Sequence, residues 1–199
     1  NFCRAEMASS DLLDVSPYKL MEDAAEKADI GAGGLIYLPY LMGERTPHLD
    51  PDCRGVFFGI SAKHTKREFL RAIMEGVAYS LRNCLDIIRE MNVEIQEVRA
   101  SGGGGKSRLW RQIQADLFGL PVCTINSSEG PAFGAALLAG VGTGIYSSIA
   151  EACDQTISVV EKQDYSPANH KKYEEFYNLY NSIYQSLKND FKALAKLNK

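Results

Sequence analysis

The chain has 199 residues, 45% of them hydrophobic and 24% charged, enough to bury one ordinary core, and its length permits one domain or a domain with an appendage. A formal net charge of -3 leaves no electrostatic footprint for nucleic acid, and no apolar run is long enough to span a bilayer, so neither nucleic acid nor a membrane is expected as a partner. Cys3, Cys53, Cys84, Cys123 and Cys153 are widely spaced and form no Cys-x-x-Cys pair, which reads as reduced thiols in the cytoplasm; with only His48, His64 and His170 to help, no metal site is expected.

In chain order, residues 1–8 read as the end of a helix, and the opening at Asn1 rather than Met reads as a piece of a longer protein or a processed chain. Ser16 and Pro17 suit the N-cap and first position of a helix, with Leu20, Met21, Ala24 and Ala28 at helical spacing and glycines 31, 33 and 34 ending it. Residues 35–38 read as a short buried strand. Residues 40–54 form a long loop rich in charge, Gly and Pro, expected to be held by pairs of Arg45 and Arg54 with Glu44, Asp50 or Asp52, or to be functional. Residues 56–60 close it as a strand.

Thr65 and Glu68 make a Thr-x-x-Glu capping box that starts the longest helix. Phe69, Leu70, Ala72, Ile73, Val77, Leu81, Cys84, Leu85 and Ile88 follow at helical spacing, which predicts a core-facing stripe. Glu75, in the middle of that helix, is expected as a solvated or locally paired carboxylate rather than a functional one.

After the extended run Val98, Arg99, Ala100 come Ser101, Gly102, Gly103, Gly104, Gly105, Lys106 and Ser107. Four consecutive glycines between a strand and a helix predict a turn whose bare backbone can approach a ligand. Ser107 is a good N-cap for a helix over 107–118, whose first amides suit an anion or a polar nucleotide edge. The same residues also fit a loose phosphate-binding loop, with Lys106 on the phosphates and Ser107 on magnesium. That chemistry needs a later apolar strand ending in Asp, and residues 121–125 run into Asn126 while residues 157–160 run into Glu161. A nucleotide-binding turn outside the phosphate-loop class, a phosphate-loop hydrolase and a non-catalytic nucleotide module stay open here. Gly119 ends the helix, residues 121–125 read as a strand, and residues 133–140 as a helix of small residues. Strand, helix, strand, helix argues an α/β layer architecture. A short helix over 147–152 and an extended segment over 157–160 follow. Ser166 and Pro167 then open a closing helix with Tyr173, Phe176, Tyr177, Tyr180, Ile183, Tyr184 and Leu187 on one face, expected as core.

Four passages, 37–48, 54–60, 102–116 and 130–136, resemble in order the carboxy-terminal half of the FGGY family of carbohydrate kinases. Gly55, Gly59, Ile60, Glu68, Phe69, Ala72, Ile73, Met74 and Glu75 stay in step with a family signature, and the likeness covers nearly the whole chain. The resemblance implies an α/β fold, a ribonuclease-H-like domain of the actin-like ATPase class lacking its first strands. It implies one domain over 1–199, closed by a helix at about 167–195, with the amino-terminal sugar-binding domain absent. It further implies ATP and Mg2+ as cofactors, and transfer of the γ-phosphoryl group to a ketose hydroxyl. Among family members this chain looks most like those acting on D-xylulose, with gluconate or another pentulose as the near alternative. By the same resemblance, Gly102, Gly103, Gly104, Gly105 and Ser107 face the adenosine of ATP, Lys106 lies near the nucleotide, and Asn1 falls close to a position that can contact the base. No catalytic residue is expected in this chain, which alone should be inactive, with an uncovered sheet edge that invites a homodimer or a partner fragment.

Overall fold

The structure, a computed structural model, describes residues 16–127 and 130–197. The readings of residues 1–8, of Asn1 and of Cys3 lie outside them. Helix α1 (Pro17–Glu26) starts with Pro17 at its first turn and Ser16 as N-cap, whose carbonyl accepts the Lys19 and Leu20 amides at 2.9 and 3.2 Å. A 3-10 turn (Ala32–Gly34) leads into β1 (Ile36–Leu38), which pairs antiparallel with β2 (Val56–Phe58). The second strand is shorter than expected, and Ile60 is exposed.

The 25-residue helix α2 (Lys66–Glu90) packs against α1, the 3-10 turn, β1 and two helices later in the chain. Its capping box forms: the Thr65 amide and hydroxyl donate to Glu68 Oε2 at 2.8 and 2.7 Å. Burial works against the Glu68 carboxylate, but these bonds and the Arg67 guanidinium outweigh it and bring it down to about 2. A Cβ at Gly76 would stand 2.2 Å from the Tyr37 carbonyl oxygen, so the bare residue is what lets β1 lie against α2.

The face α2 turns inward shares only part of the expected apolar stripe, Ala72 and Leu85 with Phe69 beside them. Glu68, Arg71, Ala72, Glu75, Gly76, Ala78, Tyr79, Arg82, Asn83 and Leu85 are buried, whereas Ile73, Leu81 and Ile88 are 40%, 43% and 41% exposed. Tertiary pairing makes the polar face tolerable. Glu75 Oε1 accepts Arg71 Nε at 2.7 Å, the Tyr173 hydroxyl at 2.9 Å and the Gly31 amide at 3.2 Å. Glu75 is thus locally paired, as one of the two expectations had it, but fully buried.

Beyond α2, β3 (Val98–Arg99) runs parallel to β4 (Val122–Ile125), which pairs antiparallel with β5 (Val159–Gln163), giving the sheet order β3-β4-β5. Between them lie the glycine turn α3 (Gly102–Gly105), α4 (Arg108–Phe118), α5 (Gly130–Gly142) and α6 (Ile149–Thr156). Gly119 ends α4 in the left-handed region at φ 65°, where a side chain would be strained. The closing helix α7 (Pro167–Leu197) buries Tyr173, Tyr177, Tyr180, Ile183 and Tyr184, as its aromatic stripe predicts.

The loop over 40–54 is pinned to α7 by rings and hydroxyls rather than by arginine pairs. His48 stacks on Tyr184 with centroids 3.6 Å apart, the Tyr184 hydroxyl donates to Asp50 Oδ2 at 2.9 Å, and the Tyr40 and Tyr180 hydroxyls meet at 2.7 Å. Glu44 instead accepts the amides of Arg45 and Thr46, and Arg54 donates to the carbonyls of Pro51 and Cys53. Among the described residues neither arginine makes the expected ion pair: Arg45 is exposed, Arg54 turns onto backbone carbonyls, and the carboxylates of Glu44 and Asp50 turn back onto local amides and α7.

Candidate nucleotide-binding site

The glycine turn starts where β3 ends. The Ala100 amide donates to the Cys123 carbonyl at 2.8 Å, which holds the strand's end to β4, and Gly102 then adopts φ +70°, a left-handed conformation that glycine takes without strain. Its four glycines divide into two pairs. A Cβ at Gly102 or Gly103 would meet nothing within 4 Å, so their backbone faces open space. A Cβ at Gly104 would stand 1.8 Å from the Trp110 ring, and one at Gly105 would stand 3.1 Å from the Ala100 backbone. The first pair is available to a ligand and the second is needed for packing.

What packs behind the turn is equally specific. Trp110, from α4, donates its indole N–H to the Met74 carbonyl at 3.1 Å, which ties the turn to α2. Arg111, 3% exposed, donates to the Gly105 carbonyl at 2.6 Å, to Gln163 at 2.6 Å and to Glu161, which ties it to β5. Sequence reasoning assigns no such role to Trp110, Arg111 or Glu22, because their partners are distant in the chain and no local spacing signals them.

Ser107 is the N-cap of α4, as expected, its hydroxyl accepting the Trp110 amide at 3.1 Å. The same hydroxyl donates to Glu22 Oε1 at 2.8 Å, and that oxygen also accepts the Leu109 amide at 3.0 Å. A carboxylate from α1 therefore already occupies the helix terminus that was expected to suit an anion. With that end neutralised, the open shelf at Ser101, Gly102 and Gly103 suits a neutral, hydrogen-bonding ring edge better than a phosphate. Gly130 brings α5 alongside, since a Cβ there would lie 3.9 Å from Ser101 Oγ, and Pro131 and Ala132 beside it are exposed. Lys106 caps the turn from its far end and is exposed.

Comparison with known proteins bears directly on this arrangement. The family model for the carboxy-terminal domain of FGGY carbohydrate kinases matches residues 1–143, a span that includes the capping box, the glycine turn and α5. The chain belongs to that family. This FGGY chain is 43% identical over 164 residues to the xylulose kinase of Staphylococcus epidermidis, a match covering 82% of the chain and 33% of that protein. It is 32% identical over 195 residues to the gluconokinase of Bacillus licheniformis, covering 98% of the chain and 38% of the relative. Ligand-bound xylulose kinase from Lactobacillus acidophilus superposes with a TM-score of 0.83 at 28% identity, over 92% of this chain and 37% of that one. The chain thus spans about a third of the length of the relatives it matches.

Family membership bears out the actin-like ATPase fold expected from the resemblance and displaces the phosphate-loop hydrolase reading. Among the described residues no three His, Cys, Asp or Glu side chains gather as a metal site, and no helix is long and apolar enough to cross a membrane.

Proposed function

We propose that this chain is the nucleotide-binding part of a cytoplasmic sugar kinase that transfers the γ-phosphoryl group of ATP to a hydroxyl of a ketose, D-xylulose. The observation that carries the reading is the open backbone of Gly102 and Gly103, beside the small-residue start of α5 and behind a helix terminus already neutralised by Glu22. Such a shelf would take the adenosine end of ATP, with Gly104 and Gly105 holding its shape and Ser107 holding α4 in place. ATP supplies the phosphoryl group; this chain's residues bind and orient the nucleoside so that the phosphates lead away from the shelf. Among the described residues no three His, Cys, Asp or Glu side chains gather to hold Mg2+. The general base for the sugar hydroxyl and the sugar contacts would come from the part of the relatives that this chain does not span. D-xylulose is favoured by the 43% identity to a xylulose kinase, while the match to a gluconokinase over 98% of the chain makes gluconate the second reading.

The test is a phosphorylation assay on the intact parent protein and on this chain alone, with D-xylulose, D-gluconate and other pentuloses. The intact protein should phosphorylate D-xylulose with the highest kcat/KM, and the chain alone should show no turnover. A preference for gluconate would overturn the sugar assignment, and turnover by the chain alone would overturn the division of labour.

A further inference from the structure

Two hydrogen bonds fix the direction of the only proton on the Ser107 hydroxyl. Its oxygen accepts the Trp110 amide at 3.1 Å and lies 2.8 Å from Glu22 Oε1. A carboxylate accepts and cannot donate, so the hydroxyl proton points to Glu22. A hydroxyl has one proton and two lone pairs; here the proton and one lone pair are taken, and a single lone pair is left. Ser107 is half-buried rather than enclosed. Its amide donates to the Gly104 carbonyl at 3.2 Å, which places the residue where the glycine turn passes into α4.

Glu22 is held in turn. Its Oε1 also accepts the Leu109 amide at 3.0 Å, its Oε2 lies 3.7 Å from the Lys19 ammonium one turn earlier on α1, and its side chain is 15% exposed. The carboxylate thus ties α1 to the start of α4, and the orientation of the Ser107 hydroxyl is set by a residue of another helix.

We propose that Glu22 is a positioning residue that sets nucleobase choice. By drawing the Ser107 proton to itself it leaves the hydroxyl as an acceptor toward the base, which favours an edge carrying an amino group over one carrying a carbonyl: adenine over hypoxanthine or guanine. The proposal rests on the nucleotide reading above and adds the residue that gives the site its polarity. An amino group at this place donates to the remaining lone pair. A carbonyl at the same place meets lone pair with lone pair, because the proton that could answer it points to Glu22. With no acceptor behind it the hydroxyl could turn to serve either edge. Glu22 acts through Ser107 and touches no nucleotide in this role.

The test titrates the intact parent protein with ATP and with inosine triphosphate, in which a carbonyl stands in place of the 6-amino group of adenine. The parent should bind ATP at least about fivefold tighter, the scale of one hydrogen bond. Glu22→Leu removes the acceptor, lets the Ser107 hydroxyl turn, and should bring the two Kd values within about twofold of each other. Glu22→Gln, whose amide oxygen accepts from the same two donors, should keep the parent's ratio. In a Ser107→Ala background Glu22→Leu should no longer move the ratio. A merely structural loss at the α4 terminus would lower Tm and weaken both nucleotides alike; an unchanged ratio in a Glu22→Leu protein that folds by circular dichroism therefore overturns the proposal. So does a ratio that shifts equally with and without Ser107. Gly103→Val separates this proposal from the reading beneath it. If that change weakens ATP binding while Glu22→Leu leaves the ratio alone, the site stands and the role of Glu22 falls; if ATP binding is unaltered by Gly103→Val, the nucleotide reading falls and takes the proposal with it.

Discussion

Gly103 and Gly104 are neighbours in one turn, and the structure separates what each is for. No heavy atom lies within 4 Å of where a Cβ would sit on Gly103, and its φ is not left-handed, so Gly103→Ala meets no obstacle. Reduced freedom of the unfolded chain should then stabilise the variant by about 0.4–1 kcal/mol. At Gly104 the added Cβ would stand 1.8 Å from Trp110 Cζ3 and 2.5 Å from Cε3, so the indole must retreat. Retreat costs about 1–3 kcal/mol of overpacking, and the strained indole bond to the Met74 carbonyl adds roughly 1 kcal/mol. The sum, about 2–4 kcal/mol, should lower Tm by roughly 5–15 °C in a domain of this size. Thermal unfolding of the two alanine variants measures the difference. Titration of ATP into the intact parent carrying Gly103→Val measures the other half: a branched side chain on the open shelf should weaken binding by at least about tenfold, close to 1.4 kcal/mol, with Tm barely changed. If Gly104→Ala melts within a degree of the parent, or if Gly103→Val binds ATP as the parent does, the division of the turn into a ligand-facing and a packing half is wrong.

Lys106→Ala in the intact protein should raise the KM for ATP a few fold and leave kcat nearly intact, since an exposed contact contributes about 0.5–1 kcal/mol; steady-state kinetics decides, and loss of turnover with ATP still bound would restore a phosphate role. Glu75→Gln leaves the buried Arg71 guanidinium uncompensated and should cost about 3–5 kcal/mol in denaturant unfolding, whereas Arg71→Met with Glu75→Leu should recover much of it. The Glu68 carboxyl, held at about 2 in the folded chain against an ordinary value near 4.5, is a depressed acid. Its stabilisation is therefore fully present above pH 4.5 or so and is lost as pH falls toward 2. Thr65→Ala should cost about 1 kcal/mol at neutral pH and make acid unfolding less steep, as read by circular dichroism against pH.

Signals that act within one or two turns of the chain are legible in the amino-acid sequence itself. Pro17 at a first turn, the Thr65 and Glu68 box, the left-handed stop at Gly119 and the aromatic face of α7 each follow from backbone and side-chain preferences over a few residues. The glycine run marks the turn for the same reason, because four residues without Cβ atoms bias local conformation whatever lies nearby. Tertiary structure alone decides which way those elements face. Spacing places Ile73, Leu81 and Ile88 on one side of α2, but nothing in spacing says whether that side meets protein or solvent. The polar side goes inward because Arg71, Glu75 and Tyr173, up to 102 residues apart, satisfy one another there. Likewise the terminus of α4 reads as ready for an anion, yet Glu22, 85 residues upstream of Ser107, fills it. Hydrogen bonding and desolvation are settled between groups brought together by the fold, and their sequence separation carries no trace of the meeting.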